Sequence, residues 1–526
     1  MSSPLALLAI GAGLASGASA IVWVRARRRS PWGTAMVVAV VPLCLYAALA
    51  VATMRATYAD SGSWDTARLT PSVALARGHD VYSTRTEGAV QPTMYPPGWV
   101  VSYLPAAAGA TPSRVLRIGL VLTLLFAFLP VAALLVELSP RRDLGVVGAA
   151  SFLLASTWLD SLSYSLFRPH ADAPALGYAM LACWLALRPG PATTRWAALV
   201  ALLCWLSVLS KQVMFPILVV LPLWLLAAQG RRACLRLAGW LAVTGVGAAA
   251  LAVAFFRPEG VLFNVLTIPA RVPWRADDPR LLSILRVLAE LVVHALPLVL
   301  LVAACAVVSV ALRSHEPATR AGPRAFLTGN PWALLAGVAL AMVPVSVLGR
   351  IKVGGSINTL SPTTYFLLAA AVLAAIEVVR RARDAGPRVH QVALGTAALC
   401  AAILAAGGTA RIALERDTPV RAHQSQRAYE YLIGEDPRAF FPLHPLAHLL
   451  ADGTLFHFGS SLYDREALAR LPLPATQRES HLPADPSIVC WDQGYWGKSW
   501  LEENYFRNYS RRIESGSLRP WDCYRL

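Results

Sequence analysis

Charge is what this sequence has least of. Only 15% of its 526 residues are Asp, Glu, Lys or Arg, against 56% hydrophobic, where soluble chains carry about a quarter charged residues. An ordinary soluble enzyme is excluded on that ground. A P-loop, a dinucleotide fingerprint and a Gly-x-Ser-x-Gly elbow are also missing, which argues against an ATP-driven transporter or an α/β-hydrolase. No Cys or His spacing suggests zinc, and no internal repeat is visible. Six of the eight cysteines (Cys44, Cys183, Cys204, Cys234, Cys305, Cys400) lie in or beside apolar runs and read as small core residues.

What is present is one apolar run after another, with a mean hydropathy of +0.52. Such runs in a bilayer are helices, because backbone polar groups there have no water to bond. They are too continuously apolar for the alternating strands of a barrel. Twelve spans are expected: 4–24, 32–54, 115–137, 144–160, 173–187, 196–209, 213–228, 237–256, 287–312, 331–349, 363–379 and 390–409. Several fall short of the roughly 20 residues a span needs, so they borrow flanking polar residues or sit inside the bundle. Gly98 to Gly109 is too short to cross and is expected as a surface or re-entrant helix. The first span is followed, not preceded, by Arg25, Arg27, Arg28 and Arg29, so it reads as an anchor and not a cleaved signal.

Six loops (25–29, 139–143, 188–195, 229–236, 313–324, 380–388) hold 18 basic residues in 47 positions. The alternate set (55–97, 161–172, 210–212, 257–286, 350–361) holds 13 in 100. The denser set is therefore expected in the cytoplasm. The long first loop and everything after Thr409 then lie outside. The tail from Ala410 to Leu526 has 14 basic and 15 acidic residues, so the net charge of +17 belongs to the membrane part. Nucleic-acid binding is a poor reading, since no soluble domain bears a basic patch. The tail reads as a small α/β module, with helices at Gln424–Ile433, Leu443–Ala451 and Asp464–Leu471 and strands at Phe440–Phe441 and Ile488–Trp491. Cys490 and Cys523 are its two cysteines; an oxidising compartment would let them pair, and two free thiols remain open. Four units follow: 1–54, two spans; 55–114, an acidic loop; 115–409, the bundle; and 410–526, the outer module.

Polar residues converge on the outer rim. The first loop carries Asp60, Asp65, a Gly78-x-x-x-Tyr82 turn and Tyr95-Pro96-Pro97. Three further outward segments bring Ser163 to Asp172, Ser210-Lys211-Gln212, and Gly349 to Asn358. Carboxylates, an imidazole and cations at one rim suit transfer of a group from an anionic lipid carrier. A carboxylate takes the proton of the incoming hydroxyl, and cations stabilise the departing phosphate. Each residue also has a plain structural reading. An Asp beyond a span caps a helix, His170 and Asp172 satisfy each other, Lys211 snorkels to headgroups, and Gly354-Gly355 makes a turn.

Trp64 to Leu69, Leu75 to Tyr82, Tyr95-Pro96-Pro97-Gly98, His170 to Pro174, Ser210-Lys211-Gln212 and Lys352 to Asn358, in that order, resemble the GT-C superfamily of polytopic glycosyltransferases, especially its bacterial dolichyl-phosphate-mannose-mannosyltransferase-like members. The resemblance covers roughly 55 to 470. It implies an all-α membrane bundle with a small extracytoplasmic α/β domain in the plasma membrane. It also implies inverting, metal-independent, cofactor-free transfer of a sugar from a polyprenyl-phosphate donor to a glycan, lipid or protein acceptor. The general base carries over to Asp65, with Asp60 as fallback, since Thr66 stands where a second acid is usual. Lys211, Lys352, Arg271 and Arg275 would hold the donor phosphate, and His170, Asp172, Tyr95 and Asn358 would orient the acceptor side. The extra first span departs from the family pattern. A secondary transporter for an anionic solute is the rival reading; it would show repeats and broken helices at the midplane. A purely structural role would leave the rim charges replaceable.

The Arg distribution makes the topology testable. A periplasmic-type reporter fused after Leu526 is expected to be active, and one at Arg383 inactive. The reverse pattern would invert every loop and remove the outer rim.

Overall fold

The apolar runs are helices in the computed structural model of the protein, which describes residues 64–188, 193–275, 279–313, 323–384, 424–495, 497–513, 521–526 and a few isolated positions. In chain order they are α1 (Trp64–Ala76), α2 (Pro112–Leu138), α3 (Arg142–Trp158), α4 (Asp160–Leu166), α5 (Asp172–Leu187), α6 (Thr194–Ser210), α7 (Ile217–Ala228), α8 (Arg231–Phe255), α9 (Arg280–Arg313), α10 (Trp332–Arg350) and α11 (Ser361–Asp384). Elements α2, α3 and α5 to α11 coincide with nine of the twelve expected spans. The spans expected at 4–24 and 32–54 lie outside the described residues, as does nearly all of 390–409; Asp60 is outside them too. Five described helices are long and apolar enough to cross a bilayer, and α3 with α4 makes a sixth candidate bent by 107°. The chain is a multi-pass membrane protein.

Burial separates the inner from the outer helices. In α11, 83% of the apolar window is buried, against 11% in α8 and 22% in α9. So α11 is the axis of the bundle, and α8 and α9 turn apolar side chains such as Val246 and Val293 outward. An outward apolar face is stable where the solvent is lipid.

The first loop folds back on the bundle through α1. Its carboxyl end is closed by Gly78 at φ +83°, with Gly78 N–H donating to Leu75 O at 3.0 Å and His79 N–H to Ala74 O at 3.0 Å. That is the paired capping pattern that needs a left-handed residue, and glycine supplies it without strain. One face of α1 (Leu69, Val73) packs on Val115, Leu116 and Leu120 of α2; Leu446 and Leu449 of the tail join the same cluster. The segment expected as a surface helix over Gly98 to Gly109 is two short turns, Gly98–Ser102 and Leu104–Ala108. Ser72 Oγ of α1 donates to Val100 O at 2.8 Å and holds them.

The tail contains α12 (Gln424–Gly434), α13 (Pro445–Ala451) and a sheet of β1 (Ala439–Phe440), β2 (Ile488–Asp492), β3 (Arg511–Ile513) and β4 (Trp521–Arg525). The strand order is β1-β2-β4-β3, with β1 parallel to β2 and the other pairs antiparallel. Register sets Cys490 directly opposite Cys523, and the two form a disulfide. This module is stitched to the first loop at Val90. Phe458 N–H donates to Val90 O at 2.9 Å, and Val90 N–H donates to His457 Nδ1 at 2.8 Å. Val90 also enters the core of Phe440, Val489 and Leu501.

Two buried imidazoles here must stay neutral. His457 Nδ1 accepts from Val90, and His448 Nε2 accepts from Phe441 N–H at 3.1 Å. Burial pushes both from the ordinary 6.5 down to about 3. A depressed folded pKa makes the unfolded state bind more protons between the two values, so stability is present above 6.5 and falls as pH drops toward 3. Asp464, which burial raises to about 7, acts in the opposite sense, so a local readout is needed. Protection of the Val90 amide against hydrogen exchange, corrected for intrinsic rate, is expected to fall between pH 6.5 and 4. Constant protection over that range would contradict a neutral His457 acceptor.

Candidate active site

Asp65 sits in the first turn of α1, where the helix amino terminus favours a carboxylate. It is 2% exposed. Its Oδ1 accepts from Arg68 Nη1 at 3.5 Å, while its Oδ2 is buried with no hydrogen-bond partner among the described residues. Burial raises the carboxyl pKa above its usual range, opposed by Arg168 and then Arg68. Arg68 Nη2 donates to Tyr164 OH. The Tyr164 ring lies near both guanidinium carbons, 5.3 Å from that of Arg68 and 5.1 Å from that of Arg168. A cavity of about 390 Å³ opens beside them, lined by Asp160, Ser163, Tyr164, Arg168, Glu290, His294 and Ile357. An unsatisfied carboxylate oxygen can accept a proton, and two guanidiniums beside it can stabilise an anion.

A second cluster adjoins the first. Asp172, the first residue of α5, receives Lys211 Nζ on Oδ1. On Oδ2 it receives Asn358 Nδ2 at 3.0 Å and Ser165 Oγ at 3.0 Å, with His170 Nδ1 at 2.7 Å. The same Nδ1 also lies 3.2 Å from the Asp172 backbone N–H, so this nitrogen is held by both the carboxylate and the amide of Asp172. His170 Nε2 faces Asn358 Nδ2 at 3.5 Å. Burial pushes His170 down to about 4, against the pull of Asp172, so the ring is neutral near pH 7. Burial also works against the Lys211 ammonium, but the Asp172 carboxylate outweighs it and raises its pKa. Tyr95 covers this pair, its ring 5.4 Å from Lys211 Nζ and 5.4 Å from the His170 ring. The Tyr164 ring is 6.0 Å from His170 and joins the two clusters.

Local sequence explains the placement. Tyr82 OH donates to Tyr95 O at 2.7 Å, so the turn after Gly78 positions the Tyr-Pro-Pro segment. Gly98 then touches the end of α6: a Cβ there would lie 2.7 Å from the Leu209 carbonyl carbon. That contact sets Lys211, the residue capping α6, behind Tyr95.

Lys352, Arg271 and Arg275 gather in a neighbouring group. Lys352 Nζ donates to Pro269 O and pairs across a β-bridge with Trp274. Arg275 Nη2 donates to Gly355 O at 2.7 Å. Arg350 pairs with Glu290 at 2.8 Å, and Glu290 lines the cavity. Arg271 ends a short helix, Ile268–Arg271, and is exposed. Sequence reasoning missed Arg68, Tyr164 and Arg168. The spacing of Arg68 three residues after Asp65 was the available signal, since i and i+3 share a helix face. Tyr164 and Arg168 had none beyond their place in a polar loop.

The tail reaches the site through the residue next to Asp65. Thr66 Oγ1 and Ser425 Oγ are 2.5 Å apart, Ser425 Oγ is 2.8 Å from His444 Nδ1, and His444 Nε2 is 2.8 Å from Asp492 Oδ1. All four are buried. This chain of polar contacts runs from α1 to β2. Among the described residues no three His, Cys, Asp or Glu come together as a metal site.

No protein-family model matches the sequence, and no curated protein matches it significantly. Solved structures do. ArnT from Cupriavidus metallidurans in the apo state is 13% identical over 94% of this chain and 98% of its own, with a TM-score of 0.53. ArnT bound to undecaprenyl phosphate is 13% identical over 91% and 97%, at 0.48. The archaeal oligosaccharyltransferase AglB from Archaeoglobus fulgidus, in complex with an inhibitory peptide and a dolichol-phosphate, is 12% identical over 86% and 69%, at 0.45. The first of these carries the argument, and at that identity the likeness is one of fold. The chain shares its fold with ArnT.

Breaking the buried pair separates its role from that of a surface lysine. Lys211→Met leaves Asp172 charged and unpaired, which is expected to cost about 3–5 kcal/mol of stability. Adding Asp172→Asn should recover about half of that loss, because the stranded charge is gone. Thermal unfolding of the two variants decides it. A Lys211→Met protein as stable as the parent would return Lys211 to the lipid surface.

Proposed function

We propose that this chain is a membrane glycosyltransferase that moves a sugar from a polyprenyl-phosphate carrier to an acceptor on the extracytoplasmic face of the plasma membrane. The observation that carries the reading is the buried Asp65 Oδ2, unpartnered among the described residues and flanked by Arg68 and Arg168, the second of which lines a cavity. The fold shared with ArnT supports it. Asp65 takes the proton of an acceptor hydroxyl as its oxygen attacks the anomeric carbon. The bond from that carbon to the carrier phosphate oxygen breaks on the opposite side. The carrier leaves as a phosphate monoester, and the anomeric configuration inverts. Atoms and charge balance without a cofactor.

The cations divide by surroundings. Arg168 lines the cavity and stands beside the base, so it meets the developing phosphate charge. Arg271, Arg275 and Lys352, on the neighbouring segments, hold the carrier phosphate further out. Lys211 is engaged with Asp172 and acts by keeping that carboxylate ionised. Asp172 in turn orients His170 and Asn358 toward the acceptor side, under Tyr95. The acceptor is a glycan, lipid or protein carrying a hydroxyl.

Asp65→Asn keeps the size and removes the basicity. Transfer from a radiolabelled polyprenyl-phosphate sugar to membrane acceptors is expected to fall by about two to four orders of magnitude, the usual worth of a general base. Asp60→Asn should retain turnover. If the two results exchange, the base is Asp60; if neither variant loses activity, neither aspartate is the base. The raised pKa of Asp65 adds a pH signature. Activity should climb with pH through that pKa, at higher pH than an exposed aspartate would give.

A further inference from the structure

The opposite end of the bundle holds a second cavity. Helix α5 has Asp172 at one end and Leu187 at the other, a helix of 16 residues, or roughly 24 Å at the helical rise. At the Leu187 end lies a cavity of about 750 Å³ between the ends of α2, α5, α7, α8 and α10. Four arginines line it: Arg188, Arg232, Arg236 and Arg324. They come from the cap of α5, from successive turns of α8 and from the short helix Pro323–Thr328. Among the described residues no acidic side chain lines the cavity. Arg188 turns one side to Glu137, at 2.7 Å and 2.8 Å, and Arg324 Nε donates to Ala228 O at 2.9 Å. Arg232 has no ion-pair partner among the described residues and is exposed. Excess arginine in these loops satisfies the positive-inside rule. That rule does not require four of them to line one cavity.

Below the guanidiniums the walls become apolar and face outward. Trp224, Ala228 and Ala233 line the cavity, and Leu223 and Leu226 of α7 and Leu235 of α8, close to them in sequence, are exposed. A cationic chamber above an exposed leucine face matches an amphiphile: an anionic head in the chamber, with chains along the leucines. A free phosphate would use the arginines and leave the leucines uncovered. We propose that this cavity binds an anionic glycerophospholipid by its phosphodiester headgroup, apart from any donor or acceptor site at the other end. Guanidinium forks match phosphate oxygens in pairs, and basic pockets between helix ends on the cytoplasmic side suit such heads. The proposal does not depend on the catalytic reading.

The test uses the full-length protein in detergent and native mass spectrometry with titrated phosphatidylglycerol, phosphatidylcholine or inorganic phosphate. Phosphatidylglycerol is expected to remain bound at about one copy per chain and to raise the unfolding temperature, while the other two do neither. In Arg232→Gln/Arg236→Gln, whose side chains are exposed, apparent affinity for phosphatidylglycerol should fall about ten-fold or more, as loss of two charge-assisted contacts implies. The variant's unfolding temperature without added lipid should stay near the parent's. Equal retention of phosphatidylcholine, equal stabilisation by inorganic phosphate, or unchanged phosphatidylglycerol affinity in the variant would overturn the assignment.

Discussion

A carboxylate at the edge of a bilayer must be met by a cation or stay protonated, and the rim is organised around meeting one. Asp172 is wholly enclosed, so its charge is compatible with burial only because Lys211, Ser165 and Asn358 converge on it. Those partners come from three segments far apart in sequence. One ionised group thus ties the start of α5 to the end of α6 and to the turn before α11. The Tyr95 ring then fits over the assembly. Mismatched placement of any of these segments would leave a buried charge uncompensated, which is a strong restoring force on the rim.

Asp65 is in the contrasting situation. Its arginine contact is long, at 3.5 Å, and one oxygen is unsatisfied. Two neighbouring carboxylates therefore have environments pushed apart, one fully compensated and one held in reserve. That division of roles is how acid-base sites assign their groups. The structure sustains the strained member by wedging α1 between the bundle and the tail. Leu69 and Val73 are held by α2 and α13, and Thr66 is engaged by Ser425. The tail module is in this sense part of the site's support, since its core and that of the first loop are continuous at Val90.

Much of this was legible in the chain. Apolar runs can only be helices in lipid, so α2, α3 and α5 to α11 followed from composition, with errors of up to seven residues at their ends. Gly78 was readable as a turn because the left-handed conformation selects glycine. Strands at Ile488–Trp491 and Phe440–Phe441 were visible as short β-branched or aromatic runs, and they appear as β2 and β1. The rim residues His170, Asp172, Lys211 and Asn358 were found as polar residues in apolar surroundings, which are costly unless they have a purpose. Their partners were not readable. Lys211 was expected to meet a phosphate, and it meets Asp172, because pairing across 39 residues depends on how α5 and α6 pack.

The sequence by itself determined the solvent and the helical class and pointed to a polar rim and its candidate carboxylates, since these follow from hydropathy and charge counted along one dimension. Tertiary structure alone decided which charge neutralises which. Tyr164 and Arg168 join Asp65 because the 107° bend between α3 and α4 turns that loop toward α1. Cys490 meets Cys523 because β2 and β4 align in antiparallel register. Arginines scattered over separate basic loops line one cavity because the ends of α2, α5, α7 and α8 meet there. Electrostatic and covalent partnerships reach only a few ångströms, and only packing brings distant residues within that range.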